Sequence, residues 1–167
     1  LLNKLRKSIA IVGETPAMVQ LKQMIARTAP TQSWVLLQGE KGSGRELIAQ
    51  NIHYMSTRAS RPFTEINCAA ISADLIESEL FGFEKGAFPG AEKTQKGKLE
   101  LAHGGTVYIE DIADLPMSAQ EKLLKVLQER SFQRQGGAEK IPLDIRLIAA
   151  TNQDLQDKIN QGLFLEA

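Results

Sequence analysis

Four short apolar runs, at positions 34–37, 63–67, 106–109 and 145–149, punctuate the chain, each bounded by polar or glycine-containing sequence. Runs of that length predict buried strands rather than helices. Between them the apolar positions recur with helical spacing. Positions 16–28 gather Met18, Leu21, Met24 and Ile25 on one face behind Pro16, and 46–55, 73–81 and 118–129 read as further helices. Strands alternating with helices predict an α/β fold with a parallel sheet covered on both faces. Residues 1–9 are basic and linker-like, so they are expected to join an upstream regulatory domain to an α/β core over 10–167.

The first predicted strand runs into Gly39-Glu40-Lys41-Gly42-Ser43-Gly44-Arg45-Glu46, and a helix follows directly. That order is the context of a phosphate-binding loop. Glycines let successive N–H groups converge on one point, and the helix N-terminus adds the positive end of its dipole there. A tight strand-to-helix turn without a ligand is the alternative. The loop departs from the usual pattern at Arg45, where phosphate loops carry lysine.

Composition limits the remaining chemistry. Of 167 residues 43% are hydrophobic, enough to bury a core, and the formal net charge is zero. The basic residues are spread out, so DNA contact is expected from a separate domain absent from this chain. Cys68 is the single cysteine and allows no internal disulfide. No apolar run approaches the roughly 18 residues of a membrane span. Without a signal peptide, a cytoplasmic setting away from the membrane is expected.

Further segments agree in order and spacing: Ile66-Asn67-Cys68-Ala69-Ala70, Glu79-Leu80-Phe81-Gly82, Gly86-Ala87-Phe88-Pro89-Gly90-Ala91, Gly104-Gly105-Thr106 and Ala149-Ala150-Thr151-Asn152. With the phosphate loop, they make the chain resemble the AAA+ central domain of bacterial enhancer-binding proteins, the ATPases that remodel sigma-54 RNA polymerase. The resemblance implies a three-layer αβα P-loop NTPase core, with the family's helical lid lying beyond Ala167. It implies ATP or ADP with magnesium as ligands, a homo-oligomer (dimer or hexamer), and RNA polymerase holoenzyme as partner. Residue by residue, Gly39, Glu40, Lys41, Gly42, Ser43, Gly44, Arg45 and Glu46 match the phosphate loop. Ile11, Val12 and Gly13 match the backbone beside adenine, Asn67 the switch that holds the catalytic glutamate, and Asn152 the γ-phosphate sensor. Polar capping of strand ends is the alternative for Asn67 and Asn152. Phe88 matches the tip of the loop that touches the sigma factor.

Four departures fall on the working parts. Arg45 puts a planar guanidinium where the family has a compact ammonium. Glu110-Asp111 stands where the family has Asp-Glu, the first acid for magnesium and the second for the attacking water. The swap displaces each carboxylate by roughly 1–1.5 Å, on a scale where about 1 Å can cost a hundredfold in rate. A surface acidic pair is the alternative for Glu110 and Asp111. Pro89 replaces the threonine of the sigma-contacting loop and fixes its φ. Leu165, in Phe164-Leu165-Glu166, replaces a trans-acting arginine finger, whose charge a leucine cannot supply. The expectation is a retained fold with impaired ATP hydrolysis.

This pattern resembles a branch of the family, typified by the regulators FleQ and VpsR, that serves sigma-54-independent promoters of biofilm and exopolysaccharide genes and responds to cyclic di-GMP. In that branch a Leu-Phe-Arg-Ser segment and an Arg-Asn pair help to hold the dinucleotide. The corresponding positions read Leu5-Arg6-Lys7-Ser8 and Gln50-Asn51. Arg6, Lys7 and Asn51 are therefore candidate cyclic di-GMP residues, with a solvated linker as the alternative for the first two. Three functions stay open: a regulatory nucleotide-binding module, a working sigma-54 ATPase, and a ligand-free dimerisation domain.

Overall fold

A computed structural model of the chain describes residues 10–166. The candidate residues Arg6 and Lys7 lie outside them. Helix α1 (Pro16–Thr28) starts where the sequence says it should: the Thr15 hydroxyl accepts from the Met18 N–H at 3.3 Å and Pro16 occupies the first turn. Strand β1 (Val35–Gln38) leads through the glycine loop into α2 (Arg45–Tyr54), and β2 (Phe63–Asn67) leads into α3 (Ala73–Phe81). Two short antiparallel strands, β3 (Gly82–Phe83) and β4 (Gln95–Lys96), precede the short helix α4 (Lys98–Leu101). Then come β5 (Thr106–Glu110), a 3-10 turn (Ile112–Asp114) and α5 (Met117–Glu129). The pair β6 (Ser131–Phe132) and β7 (Ile141–Pro142) precedes β8 (Arg146–Thr151) and α6 (Leu155–Asn160).

The main sheet is parallel, in the order β1-β8-β5-β2. Its central strands alternate between two cores, because successive side chains leave a strand on opposite faces. Val107, Ile109, Leu147 and Ala149 pack with Ile76, Leu80, Leu99, Leu123 and Val126 from α3, α4 and α5. Tyr108, Ile148 and Ala150 pack with Ile25 of α1 and with Ala49 and Ile52 of α2. The expected three-layer αβα arrangement is therefore present.

Two details correct the sequence reading. The first strand starts at Val35 rather than Trp34 and is an edge strand among the described residues, so Leu36 is 52% exposed instead of buried. The expected strand 145–149 starts and ends later, at Arg146–Thr151. Its first residue is a guanidinium in the interior. Arg146 is 1% exposed and donates to the carbonyls of Ala29 (2.6 Å), Thr28 (2.9 Å) and Ser33 (3.1 Å), closing the C-terminus of α1 onto the sheet.

Candidate functional site

The parallel strands all end on one side, and there the glycine loop, the end of β2 and the end of β5 meet. The register places Asn67 beside Glu110, while Gln38 lies beside Thr151 and the Gly39 N–H donates to the Thr151 carbonyl at 3.1 Å. Such carboxyl ends, at a strand-to-helix turn, are where open α/β sheets bind ligands. In the loop, Gly42 (φ +84°) and Gly44 (φ +86°) use the left-handed region that favours glycine. Gly44 is the N-cap of α2, and no side chain among the described residues caps that end. Its first-turn N–H groups are thus available to an anion.

A cleft of about 460 Å³ opens over this turn, lined by Lys41, Arg45, Glu46, Asn67, Glu110 and Asp111 among others. Its volume is in the range of small-molecule sites. A second hollow adjoins it through Glu46, Asn67 and Glu110. The decisive contact in the cleft joins two sequence motifs. The Arg45 guanidinium, 6% exposed, pairs with the Glu110 carboxylate through Nη2 and lies 3.7 Å from Asp111 Oδ1. Strand geometry explains the encounter. Glu110 follows Tyr108 by two residues, so both face α2, and Arg45 is the first residue of that helix. Tyr108 donates its hydroxyl to the other Glu110 oxygen. Burial, then the hydrogen bond and charge of Glu110, hold the Tyr108 phenol well above its ordinary pKa. Asp111 follows in the left-handed region (φ +53°) and is buried. Arg45 Nη1 is buried and has no hydrogen-bond partner among the described residues.

Both acids proposed for magnesium and water chemistry are therefore engaged by protein groups. Among the described residues no cluster of three or more His, Cys, Asp or Glu side chains is placed to hold a metal ion. Magnesium does not fit this donor set as it stands, because one Glu110 oxygen faces a guanidinium and the other a phenol. A phosphate fits better: the cleft offers uncapped helix N–H groups and an unpartnered guanidinium nitrogen. Glu46 adds negative charge at the rim. The Glu65 carboxylate, then burial and Glu110, raise its pKa.

The remaining candidates are distributed around this cleft. The Asn67 side-chain oxygen accepts the Ala69 N–H at 3.0 Å, a local cap at the strand end. Asn152 follows β8 on the surface, and Asn51 donates to the Leu47 carbonyl within α2 at 2.8 Å. Ile11 packs against the α1–α2 core, Val12 is 86% exposed, and the Gly13 carbonyl accepts from Lys22 Nζ at 2.7 Å. Phe88 and Pro89 lie elsewhere, in a hairpin-like loop. Phe88 is 40% exposed and packs edge-on against Phe83, 4.8 Å between ring centres. Pro89 and Gly90 (φ +100°) occupy the middle of a type II turn closed by the Ala91 N–H on the Phe88 carbonyl at 3.0 Å. Proline suits that position. Leu165 is partly buried, and its N–H donates to Gln120 of α5 at 3.0 Å. Sequence reasoning missed Tyr108 and Arg146; the two-residue spacing to Glu110 was the available signal for the first.

The Sigma-54 interaction domain family matches residues 11–167. The chain belongs to the sigma-54 interaction domain family. It is 49% identical over 154 residues to the Nif-specific regulatory protein of Herbaspirillum seropedicae, covering 92% of this chain and 28% of that protein. It is also 49% identical over 156 residues to the regulatory protein AtoC of Escherichia coli K12, covering 93% and 34%. Among solved structures, NtrX from Brucella abortus in complex with ADP superposes with a TM-score of 0.88 at 40% identity, over 99% of this chain and 36% of that one. This sigma-54 interaction domain thus spans about a third or less of the curated relatives it matches. Among its described residues no helix is long and apolar enough to cross a membrane.

Proposed function

We propose that this sigma-54 interaction domain is the nucleotide-binding and oligomerising central module of a bacterial transcriptional regulator in which ATP hydrolysis is impaired. The observation that carries this reading is the pairing of Arg45 with both Glu110 and Asp111. Phosphoryl transfer depends on positioned charges around the transferred group. Here the guanidinium in the lysine's place ties up, through Nη2, the acids that would hold metal and water. Capture of ADP and ATP by the NtrX relative supports nucleotide as the ligand. In this reading residues 10–167 are the core and 1–9 the linker, and DNA is reached through another domain of a cytoplasmic oligomer that acts on RNA polymerase holoenzyme.

The wider proposal is a sigma-54-independent activator of biofilm and exopolysaccharide genes that answers to cyclic di-GMP. Its support is the set of departures at Arg45, Glu110, Asp111, Pro89 and Leu165, with the partial match at 5–8 and 50–51. Identity of 49% to Nif-specific and AtoC regulators favours a second reading, a working ATPase that remodels sigma-54 polymerase. The variant R45K/E110D/D111E separates them. Under the first reading it hydrolyses ATP faster than the wild type by about a hundredfold or more; equal or lower turnover in a folded variant that binds ATP refutes the misplacement argument.

A further inference from the structure

We infer that this cleft binds nucleotide phosphates without a divalent cation, the Arg45 guanidinium standing between Glu110 and Asp111 in the metal's stead. The inference rests on the proposed nucleotide-binding reading and adds the ionic form of the ligand. A divalent metal in a phosphate-loop site has two jobs: it neutralises the acids, and it presents positive charge to the β- and γ-phosphate oxygens. Arg45 already does the first. Its Nη2 pairs with Glu110 and approaches Asp111, and its buried position leaves little room for exchange with solvent.

Arg45 is also equipped for the second job. Guanidinium carries donors on three nitrogens in one plane, so a group that spends one nitrogen on carboxylates can offer another to phosphate. Arg45 Nη1 is buried in the wall of the cleft with no partner among the described residues. An unsatisfied buried donor is costly, and a phosphate oxygen delivered by the adjacent glycine loop would satisfy it. Lys41 on the same loop adds a second positive charge to the cleft. Magnesium, by contrast, demands near-octahedral oxygen coordination, and reaching the two acids means displacing Arg45 from Glu110 Oε1 while Tyr108 holds Oε2.

The test is calorimetric titration of the full-length regulator with adenylyl imidodiphosphate, a triphosphate whose β,γ bridge resists hydrolysis, in excess EDTA and in magnesium at matched ionic strength. The two affinities are expected to agree within about threefold. Binding that is about tenfold or more tighter with magnesium overturns the inference while leaving nucleotide binding intact. Absence of binding in both media overturns the nucleotide-binding reading and this inference with it. A second measurement uses Arg45→Lys, checked for folding by circular dichroism: the freed acids should make its binding depend on magnesium by about tenfold. A folded variant as indifferent to magnesium as the wild type counts against Arg45 as the substitute cation.

Discussion

Replacing Arg146 by methionine tests how α1 is tied to the sheet, at the end of β8 opposite the cleft. The guanidinium is fully buried, and burial, followed by the charge of Arg58, lowers its pKa from the ordinary arginine value. It is held by three carbonyls. Methionine fills much of the volume but donates nothing. The Thr28 carbonyl keeps the Thr31 N–H (3.0 Å) and hydroxyl (2.8 Å), whereas the carbonyls of Ala29 and Ser33 lose this donor. At about 1–3 kcal/mol for the orphaned buried Ala29 carbonyl and about 1.5–3 kcal/mol for the charge-assisted hydrogen bond lost at the exposed Ser33, the loss is about 2.5–6 kcal/mol. Relief of the desolvation carried by a buried guanidinium that is held by carbonyls offsets part of it, leaving about 3 kcal/mol. For a domain of this size that lowers Tm by about 6–12 °C. Thermal melts followed by circular dichroism, with hydrogen exchange at the end of α1, measure it. A Tm within about 2 °C of the wild type, or above it, would refute the assignment of Arg146 as the clamp on α1.

Two further predictions concern single titratable groups. The Cys68 thiol is pushed up to about 12 by burial and then by the Asp114 and Asp111 carboxylates, so a disulfide reagent at pH 8 should leave it unmodified in the folded protein and label it in denaturant; prompt labelling of the native state would contradict its placement. His53 is buried between the Thr106 hydroxyl (2.8 Å) and the Arg61 carbonyl (3.1 Å), and burial outweighs the raising effect of that carbonyl, lowering its pKa from 6.5. Its contribution to stability is therefore fully present above pH 6.5 and is lost as pH falls through the lowered folded value. Urea midpoints should drop on acidification more steeply for the wild type than for His53→Asn; parallel slopes would argue against it.

What the sequence disclosed and what it hid divide along contact range. The bounds of α1, β2 and α3 were legible because Pro16, the apolar run at 63–67 and the pattern at 73–81 act locally. The glycine loop was legible for the same reason. The two-residue strands β3, β4, β6 and β7 carry no periodicity of their own and exist only through partners met in the fold. The exposure of Leu36 follows from the place of β1 at the sheet edge, which strand order decides and no local pattern records. Arg45 and Glu110 were each marked as departures, yet their pairing depends on α2 and β5 meeting in space. Arg146 reads in sequence as the polar flank of an apolar run, and its partners lie more than a hundred positions away.

The central claim is that a cleft built to take nucleotide has its acids neutralised by its own arginine. Steady-state ATP hydrolysis by the full-length regulator, over a range of protein concentrations and with nucleotide binding followed in the same samples, tests it most directly. The account predicts bound nucleotide with no turnover above background at any concentration. Turnover that accompanies binding and rises in specific activity as the protein assembles would contradict it and return the domain to the working ATPases.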